Sequence, residues 1–209
     1  MVLALLVLGA NASAQSASAQ PQSAIAAQPA QQQSVNIRGT VTAFDGKTIS
    51  VASRNGGPVQ VQLPENVNVA GTRAFTLADI KPDMVLGVAT VRRADGAIVA
   101  IVAIDVRPIP PAARLGLSPF DLAPGATMTN AMFEGQAVSS DGTELLLNYK
   151  SGTVKVVVPA GTPMSQAVPG SRADIKPGET IFISARIGDD NTLTAARVQV
   201  STNGVKPTQ

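Results

Sequence analysis

The chain has 209 residues, of which 44% are hydrophobic and 14% are charged, and its formal net charge is +2. This is the composition of a globular protein with few charges. The sequence contains no cysteine and no histidine, which excludes disulfide bonds and most of the standard catalytic and metal-binding chemistry. The charges are unevenly distributed, because none lies before Arg38.

The first residues predict an export signal followed by a tether. Residues 2–10 form an apolar run, shorter than the roughly 20 residues that a bilayer span needs, and Ala12-Ser13-Ala14 follows as a cleavage site. We therefore predict a signal peptide over residues 1–14 and a periplasmic or secreted mature protein after cleavage near Ala14. The alternative is a buried N-terminal strand or helix, and the missing basic n-region leaves the true translation start open.

Residues 15–34 are rich in Gln, Ala and Ser and carry no charge. They lack an apolar pattern that would bury a core, so we predict a disordered tether. No later apolar stretch reaches membrane-spanning length, and the mature protein is expected to be soluble and not to span a membrane.

An internal repeat is the strongest signal in the chain. The motif Ala-Asp-Ile-Lys-Pro at 78–82 recurs at 173–177, 95 positions later. The flanking turns and strands also match, at an offset of 96 before one small gap and 95 after it. We therefore predict two copies of one domain, the first copy over residues 35–106 and the second copy over residues 132–200, with a C-terminal tail at 201–209.

Each copy is predicted to contain five short strands with one helical turn before the fourth. Asp-Gly turns and strict alternation, as in Val59, Val61 and Leu63, are typical of hairpins and half-buried strands. Thr76 and Ser171 each stand three residues before an aspartate, the pattern of a capping box. The predicted strands cover 36–44, 48–52, 59–63, 84–91 and 97–106, and then 133–139, 144–149, 154–158, 180–187 and 192–200.

Five strands of this length favour a small closed sheet, because closure removes exposed edges. The predicted fold is therefore all-β, with two tandem five-stranded barrels that are OB-like or, alternatively, SH3-like. At about 70 residues each barrel is near the lower size limit for independent stability, so the two are expected to pack on each other.

A proline-rich joint over residues 107–131 separates the copies. Residues 107–130 hold five of the fifteen prolines, which is too many for a strand or helix, so we predict a semi-rigid spacer. Its apolar residues are expected to pack in the groove between the barrels, with a ligand- or partner-binding segment as the alternative. These residues are Leu115, Leu117, Phe120, Leu122 and Met128.

The repeat motif and the joint sequence Pro119-Phe120-Asp121-Leu122 resemble a group of exported bacterial proteins with tandem domains of unknown function. The resemblance covers essentially the whole mature chain and implies OB-like barrels, without an established activity or catalytic residues. Some similar sequences are labelled as permeases of metal ABC transporters. This sequence argues against that label, because a permease needs several spans of about 20 apolar residues.

The sequence lacks the residue types on which most catalytic and metal-binding sites depend. Ser-His and Cys-His pairs are excluded, and a Ser-Lys pair stays open without a supporting motif. The adjacent acidic pair Asp189-Asp190 lacks calcium-loop spacing and is interpreted as a turn. For Met132, core packing is favoured over a soft-metal site shared with Met128. We predict no metal, no cofactor and no nucleic acid partner, since a nucleic acid site needs a basic groove with stacking aromatics.

We therefore predict no enzymatic activity and a non-enzymatic binding or structural module of the cell envelope. The alternative is a carrier or sensor of a small ligand or metal ion that assists a transporter. The partner is an unknown envelope protein or a small ligand. We expect the functional residues to lie in the joint or at positions where the two copies differ, such as Arg38 and its equivalent Glu134. The candidate surface residues are Phe120, Asp121, Met128, Asn130, Asp189 and Asp190.

Overall fold

The computed structural model describes residues 33–82, 84–105, 115–140 and 142–208. Within these ranges the regular structure consists of thirteen strands and two 3-10 turns, with no α-helix. The prediction of an all-β protein is therefore confirmed. The predicted signal peptide, nearly all of the predicted tether and residues 107–114 of the joint lie outside the described residues.

All ten predicted strands are present, and three further strands accompany them. The strands are β1 (Ser34–Phe44), β2 (Thr48–Ser53), β3 (Pro58–Gln62), β4 (Asn68–Ala74), β5 (Val85–Arg92), β6 (Ile98–Asp105), β7 (Gly116–Pro119), β8 (Thr127–Ser139), β9 (Gly142–Tyr149), β10 (Gly152–Val158), β11 (Met164–Pro169), β12 (Thr180–Ile187) and β13 (Leu193–Val200). The 3-10 turns cover Leu77–Asp79 and Arg172–Asp174. The strands that sequence reasoning missed are β4, β7 and β11.

The two 3-10 turns form where the capping boxes predict them. Asp79 accepts hydrogen bonds from the backbone N–H of Thr76 at 2.9 Å and from its hydroxyl at 2.8 Å. Asp174 does the same with Ser171, at 2.7 and 3.0 Å. Each carboxylate therefore satisfies an amide that a helical start leaves unpaired.

Five strands close into a barrel, which we call the first ring: β1, β2, β3, β13 and β12. Neighbouring strands pair antiparallel, except that β3 and β13 close the ring through a parallel contact between Gln62 and Thr194. Apolar side chains from all five strands fill its interior, among them Ile49, Val61 and Ile183. Hydrophobic burial therefore stabilises this ring as one unit.

Five other strands follow the same circuit, which we call the second ring: β8, β9, β10, β6 and β5. Here β10 and β6 meet in parallel at Val157 and Val99, and the other neighbours are antiparallel. Leu86, Leu145 and Leu147 are fully buried in its core. Each ring thus has its own hydrophobic cluster.

Neither ring is built from one copy of the repeat. The first ring takes β1–β3 from the first copy and β12–β13 from the second, and the second ring takes the complementary set. The prediction of two tandem barrels, one per copy, is therefore not confirmed. The physical reason is that the chain continues after the third strand of each copy as β4 or β11, and these strands carry it across to the other ring.

The crossing strands β4 and β11 pair antiparallel with each other at the centre of the sheet. Thr72 lies opposite Ala167, which is its equivalent in the second copy. The residue pairs on either side are equivalent to each other by the same repeat offset, so the crossing has approximate two-fold symmetry. A Cβ on Gly170 would lie 2.6 Å from the Gly71 nitrogen. Glycine is therefore needed at position 170 for the two strands to approach this closely.

A buried polar network holds the crossing to β13 and to the C-terminal tail. The Thr72 hydroxyl donates to the carbonyl of Val200 at 2.8 Å and accepts from the Gln199 amide at 3.2 Å. The Thr72 N–H donates to the Thr202 hydroxyl oxygen at 3.2 Å. Thr72 and Gln199 are each only 2% exposed, so these bonds satisfy groups that water does not reach.

The prediction that the joint contains no strand is wrong. Residues Gly116–Pro119 form β7, which pairs with the beginning of β8, and β8 starts six residues before its predicted start. Proline is tolerated in β7 because this strand pairs only with β8 among the described strands and is therefore an edge strand.

The prediction that the joint packs its apolar residues in the groove between the barrels is met only in part, because three of them pack and they do so against the second ring. Phe120, Leu122 and Met128 pack in a small cluster with Ala89 and Val102 of the second ring. It is wrong for Leu117, which is 50% exposed.

We expect the two fragments of a chain that is cut in the joint to remain associated. A protease site inserted among residues 106–114 would separate the polypeptide into two fragments, but each ring needs strands from both. The fragments should co-elute in size-exclusion chromatography and should separate only at denaturant concentrations where circular dichroism shows unfolding. Fragments that separate while each keeps its β signal would contradict the strand exchange. The chain without the inserted site, treated with the same protease, is the control.

Candidate functional site

The structure divides the six predicted surface residues into three groups. Phe120 and Asp121 follow β7 and reach the first ring, as described below. Met128 is buried, at 7% exposure, and Asn130 pairs in β8 between β5 and β7. Asp189 and Asp190 lie exposed in the turn between β12 and β13, and their described hydrogen bonds do not reach the joint.

Asp121 forms a bidentate ion pair with Arg38 of β1. The two guanidinium Nη atoms donate to the two carboxylate oxygens at 2.9 and 2.8 Å, and the Asn36 side-chain amide donates to Oδ1 at 3.2 Å. Arg38 is 6% exposed, whereas the side chain of Asp121 is 48% exposed. The pair therefore attaches the joint to the outer face of the first ring by the strongest class of protein hydrogen bond.

Aromatic rings and guanidinium groups alternate across this face. The Arg38 guanidinium carbon lies 5.5 Å from the ring centre of Phe120 and 5.3 Å from that of Phe182. Arg197 lies 5.4 Å from the Phe182 ring. These distances are within cation–π range. Because Phe120 also packs against the second ring, this stack connects the two rings through the joint.

The hydrogen bond from Arg38 lowers the pKa of Asp121, and partial burial opposes that shift. The Nε atom of Arg38 is buried and has no hydrogen-bond partner among the described residues. The guanidinium is therefore held by one carboxylate and two aromatic faces, which makes Asp121 its main polar partner.

Asp190 belongs to an ordinary turn. One of its carboxylate oxygens accepts from the Thr192 N–H at 3.0 Å, and hydrogen bonds from Thr192 lower the pKa of Asp190. Asn191 has a φ of 62°, a left-handed conformation that asparagine tolerates better than most residues. The local bonds account for the placement of Asp190 without a ligand.

A cavity of about 710 Å³ opens at one end of the first ring. Gly46, Lys47 and Thr48 line it from the β1–β2 turn, residues 62–65 from the end of β3, and Arg172 from the second 3-10 turn. The volume is in the range of about 300–1,000 Å³ that is usual for ligand pockets. It is a concave feature on which a binding function can be based.

Arg172 closes one side of the cavity with hydrogen bonds to the backbone. Its Nη1 donates to the carbonyl of Pro64 at 2.8 Å, and its Nη2 donates to the carbonyls of Leu63 and Gly46. Its guanidinium also lies 5.9 Å from the ring centre of Phe44. Arg172 comes from the second copy, so the cavity exists only because the strands exchange.

Asp45 stabilises the β1–β2 turn that lines the cavity. Its carboxylate accepts from the backbone N–H groups of Lys47 at 2.8 Å and Thr48 at 2.6 Å. The bond from Thr48 is the largest cause of its lowered pKa. The cavity lining itself carries one carboxylate, Glu65, and two cations, Lys47 and Arg172.

The two cations, the glutamine and the glutamate of the cavity are not repeated at the second ring. By the repeat offset, the positions of Lys47, Gln62, Glu65 and Arg172 are occupied by Thr143, Val157, Ala160 and Leu77 at the second ring. Leu77 packs against the hydrophobic core of the second ring, where Arg172 instead bonds to carbonyls. The two rings share a scaffold but differ in chemistry at this end.

No group of three or more His, Cys, Asp or Glu side chains in the described ranges is placed to hold a metal ion. In the same part of the chain, no helix has the length and apolar character needed to cross a membrane. Comparison of the chain with protein-family models, with curated proteins and with solved structures finds no match.

Sequence analysis did not identify most residues of the ion pair and of the cavity, although differences between the two copies mark both. The change from Arg38 to Glu134 between copies marks the ion pair, and the change from Leu77 to Arg172 marks the cavity. The sequence pattern does not show to which ring each residue belongs. Strand exchange places Arg172, which comes from the second copy, against the β1–β2 turn of the first copy.

We expect Asp121→Asn to destabilise the protein in a pH-dependent way. The buried Arg38 loses its anionic partner, so the free energy of unfolding at pH 7 should fall by about 1–2 kcal/mol. The folded-state pKa of Asp121 lies below its unfolded value of about 3.9. Its stabilising contribution is therefore complete above that pH and is lost as pH falls through the folded-state pKa.

Urea unfolding followed by circular dichroism at neutral and acidic pH measures this effect. The difference between the wild type and Asp121→Asn should shrink toward the acidic end. Asp189→Asn, which changes an exposed turn carboxylate, is the matched control and should have little effect. An unchanged stability of Asp121→Asn at pH 7 would show that the ion pair contributes nothing.

Proposed function

We propose that the protein is an exported, non-enzymatic binding module of the cell envelope whose binding site lies on the first ring. The export-type N-terminal sequence and the absence of cysteine and histidine support this class of function. A helical turn precedes β12 and β5, the fourth strands of the two rings, and this arrangement supports OB-like barrels within the exchanged fold.

The observation that carries the proposal is the chemical asymmetry of the two rings at the cavity. Lys47, Gln62 and Glu65 are exposed, and no described hydrogen bond uses their side chains. Side chains that only stabilised the scaffold would be equally useful at both rings, because both share the same circuit of strands. Their restriction to the ring with the cavity favours a role in binding.

A small-ligand carrier is the second candidate, and the volume of the cavity favours it. The same residues would then bind a soluble metabolite instead of an envelope component. For a metal ion the described residues offer no supporting cluster.

Affinity capture from an envelope extract tests the first candidate. The variant Lys47→Ala/Gln62→Ala removes two exposed cavity side chains, and Thr143→Ala/Lys155→Ala, which removes two polar side chains from the second ring, is the control. We expect the wild type and the second-ring variant to capture the same component, and the first-ring variant to capture about tenfold less, as the loss of two hydrogen-bonding groups implies. Equal capture by both variants, or no capture by folded protein, would contradict the proposal.

Thermal unfolding with a panel of envelope metabolites tests the second candidate. A ligand at a hundred times its dissociation constant stabilises the native state by about 2.7 kcal/mol. The shift should disappear in Lys47→Ala/Gln62→Ala and persist in the second-ring variant.

A further inference from the structure

We propose that the outer face of the first ring carries a docking surface for an acidic, extended segment of a partner protein. Four arginines form this surface, which we call the arginine face: Arg38, Arg54, Arg186 and Arg197. It is separate from the cavity described above, because Arg54 follows the end of β2 whereas the cavity lies at the start of that strand.

The arginine face extends along β1 and β12. Arg38 pairs with Phe182, and Arg186, four residues further along β12, pairs with Ser34. Ile183 points into the core, so the alternation of a strand directs Phe182 and Arg186 outward. Four residues of a strand span about 13 Å, which is the separation of these two positions along the face.

Arg54 and Arg197 widen the face on either side. The Arg54 N–H donates to the carbonyl of Arg38 at 2.8 Å, so these two arginines are cross-strand neighbours. Arg197 of β13 pairs with Ser184, and its guanidinium carbon lies 5.4 Å from the ring centre of Phe182. The four arginines thus come from neighbouring segments of one sheet.

The side chains of Arg54 and Arg186 take part in no described hydrogen bond or ion pair, and both residues are exposed. Asp189 and Asp190 lie in the turn beyond Arg186 and have no described bond to it. A guanidinium presents its N–H donors in a planar fork that matches a carboxylate. These two arginines can therefore bind carboxylates without breaking a bond of the fold.

Asp121 shows how this face binds a carboxylate. It accepts two hydrogen bonds from Arg38, at 2.9 and 2.8 Å, and one from the Asn36 amide at 3.2 Å. The joint that supplies Asp121 is itself a segment of chain lying across the face. A partner segment with further carboxylates can repeat this chemistry at Arg54 and Arg186, and complementary charge speeds its association.

The second ring is an internal comparison, because it lacks the arginine face. Its residues at the equivalent positions are, in the same order, Glu134, Lys150, Val91 and Val102. Val102 packs with Phe120 and Leu122 of the joint. The second ring is therefore apolar where the first ring is basic. Since both rings share one circuit of strands, the barrel itself does not require the arginines.

An extended acidic polypeptide fits the face better than an anionic membrane surface does. Phe182 is only 3% exposed and Phe120 is half-buried, so these rings are not available to insert among lipids. The separation of about 13 Å matches carboxylates that stand four residues apart in an extended segment.

Titration of the full chain with synthetic peptides tests the inference. The probe has about a dozen Ser, Thr and Gly residues with an aspartate at every fourth position. One comparison peptide carries the same aspartates side by side, and another carries lysines in their place. Backbone NMR shifts at low and high salt report affinity and location.

We expect the probe to shift the amide signals of Arg54 and Arg186 but not that of Lys47, with an affinity that falls as salt rises. The peptide with adjacent aspartates should bind about threefold more weakly, because fewer carboxylates reach an arginine. The lysine peptide should not bind.

Two variants localise the binding. Arg54→Gln/Arg186→Gln should weaken the probe by about tenfold, and because both side chains are exposed, its circular dichroism and melting temperature should match the wild type. Lys150→Gln/Lys155→Gln removes the same charge from exposed positions of the second ring and should leave binding unchanged.

Three outcomes would overturn the inference: no shift at about 5 mM probe, where a millimolar dissociation constant already gives high occupancy, equal weakening by both variants, or binding to phosphatidylglycerol vesicles in place of the probe. If the probe fails while envelope capture still depends on Lys47 and Gln62, the proposed function stands and only the arginine face is wrong. If the probe binds while that capture fails, the arginine face stands without the cavity.

Discussion

The antiparallel pairing of β4 with β11 is the constraint on which the rest of the structure depends. In each copy these strands lead the chain away from the three strands just completed and toward the other ring. Once β4 and β11 pair, β12 and β13 can only complete the first ring, and β5 and β6 can only complete the second ring. The cores, the cavity and the attachment of the joint all follow from that crossing.

The crossing also explains how a chain without disulfide bonds stabilises two small rings. A five-stranded unit of about 70 residues buries little apolar surface on its own. Exchange makes each ring depend on strands of both copies, so neither ring can form from one copy alone. The ion pair of Arg38 and Asp121 adds a further attachment, which acts through the joint instead of through the sheet.

The strands and turns could be predicted because their signals are local. Alternation in β3, the Asp-Gly turns and the capping boxes at Thr76 and Ser171 each depend on a few adjacent residues. The partners of the strands could not be predicted, because the same alternation is compatible with a ring closed within a copy or across copies. β4 and β11 were not predicted because Gly71 lies within β4 and Gly170 directly follows β11, and glycines at these positions are typical of loops, whereas here they allow the two strands to approach closely. In the candidate site, comparison of the copies singles out Arg38 and Arg172, but their neighbours depend on the crossing.

Strand exchange also sets the order in which the protein can fold. The first ring needs β1, which begins at Ser34, and β13, which ends at Val200, so it cannot close until the chain through Val200 is available. Such distant contacts slow folding, because a long loop must close before they form. For a polypeptide that crosses a membrane in an unfolded state, as the proposed export requires, this delay is useful. Strands β1–β3 cannot complete their ring until β12 and β13 have been made.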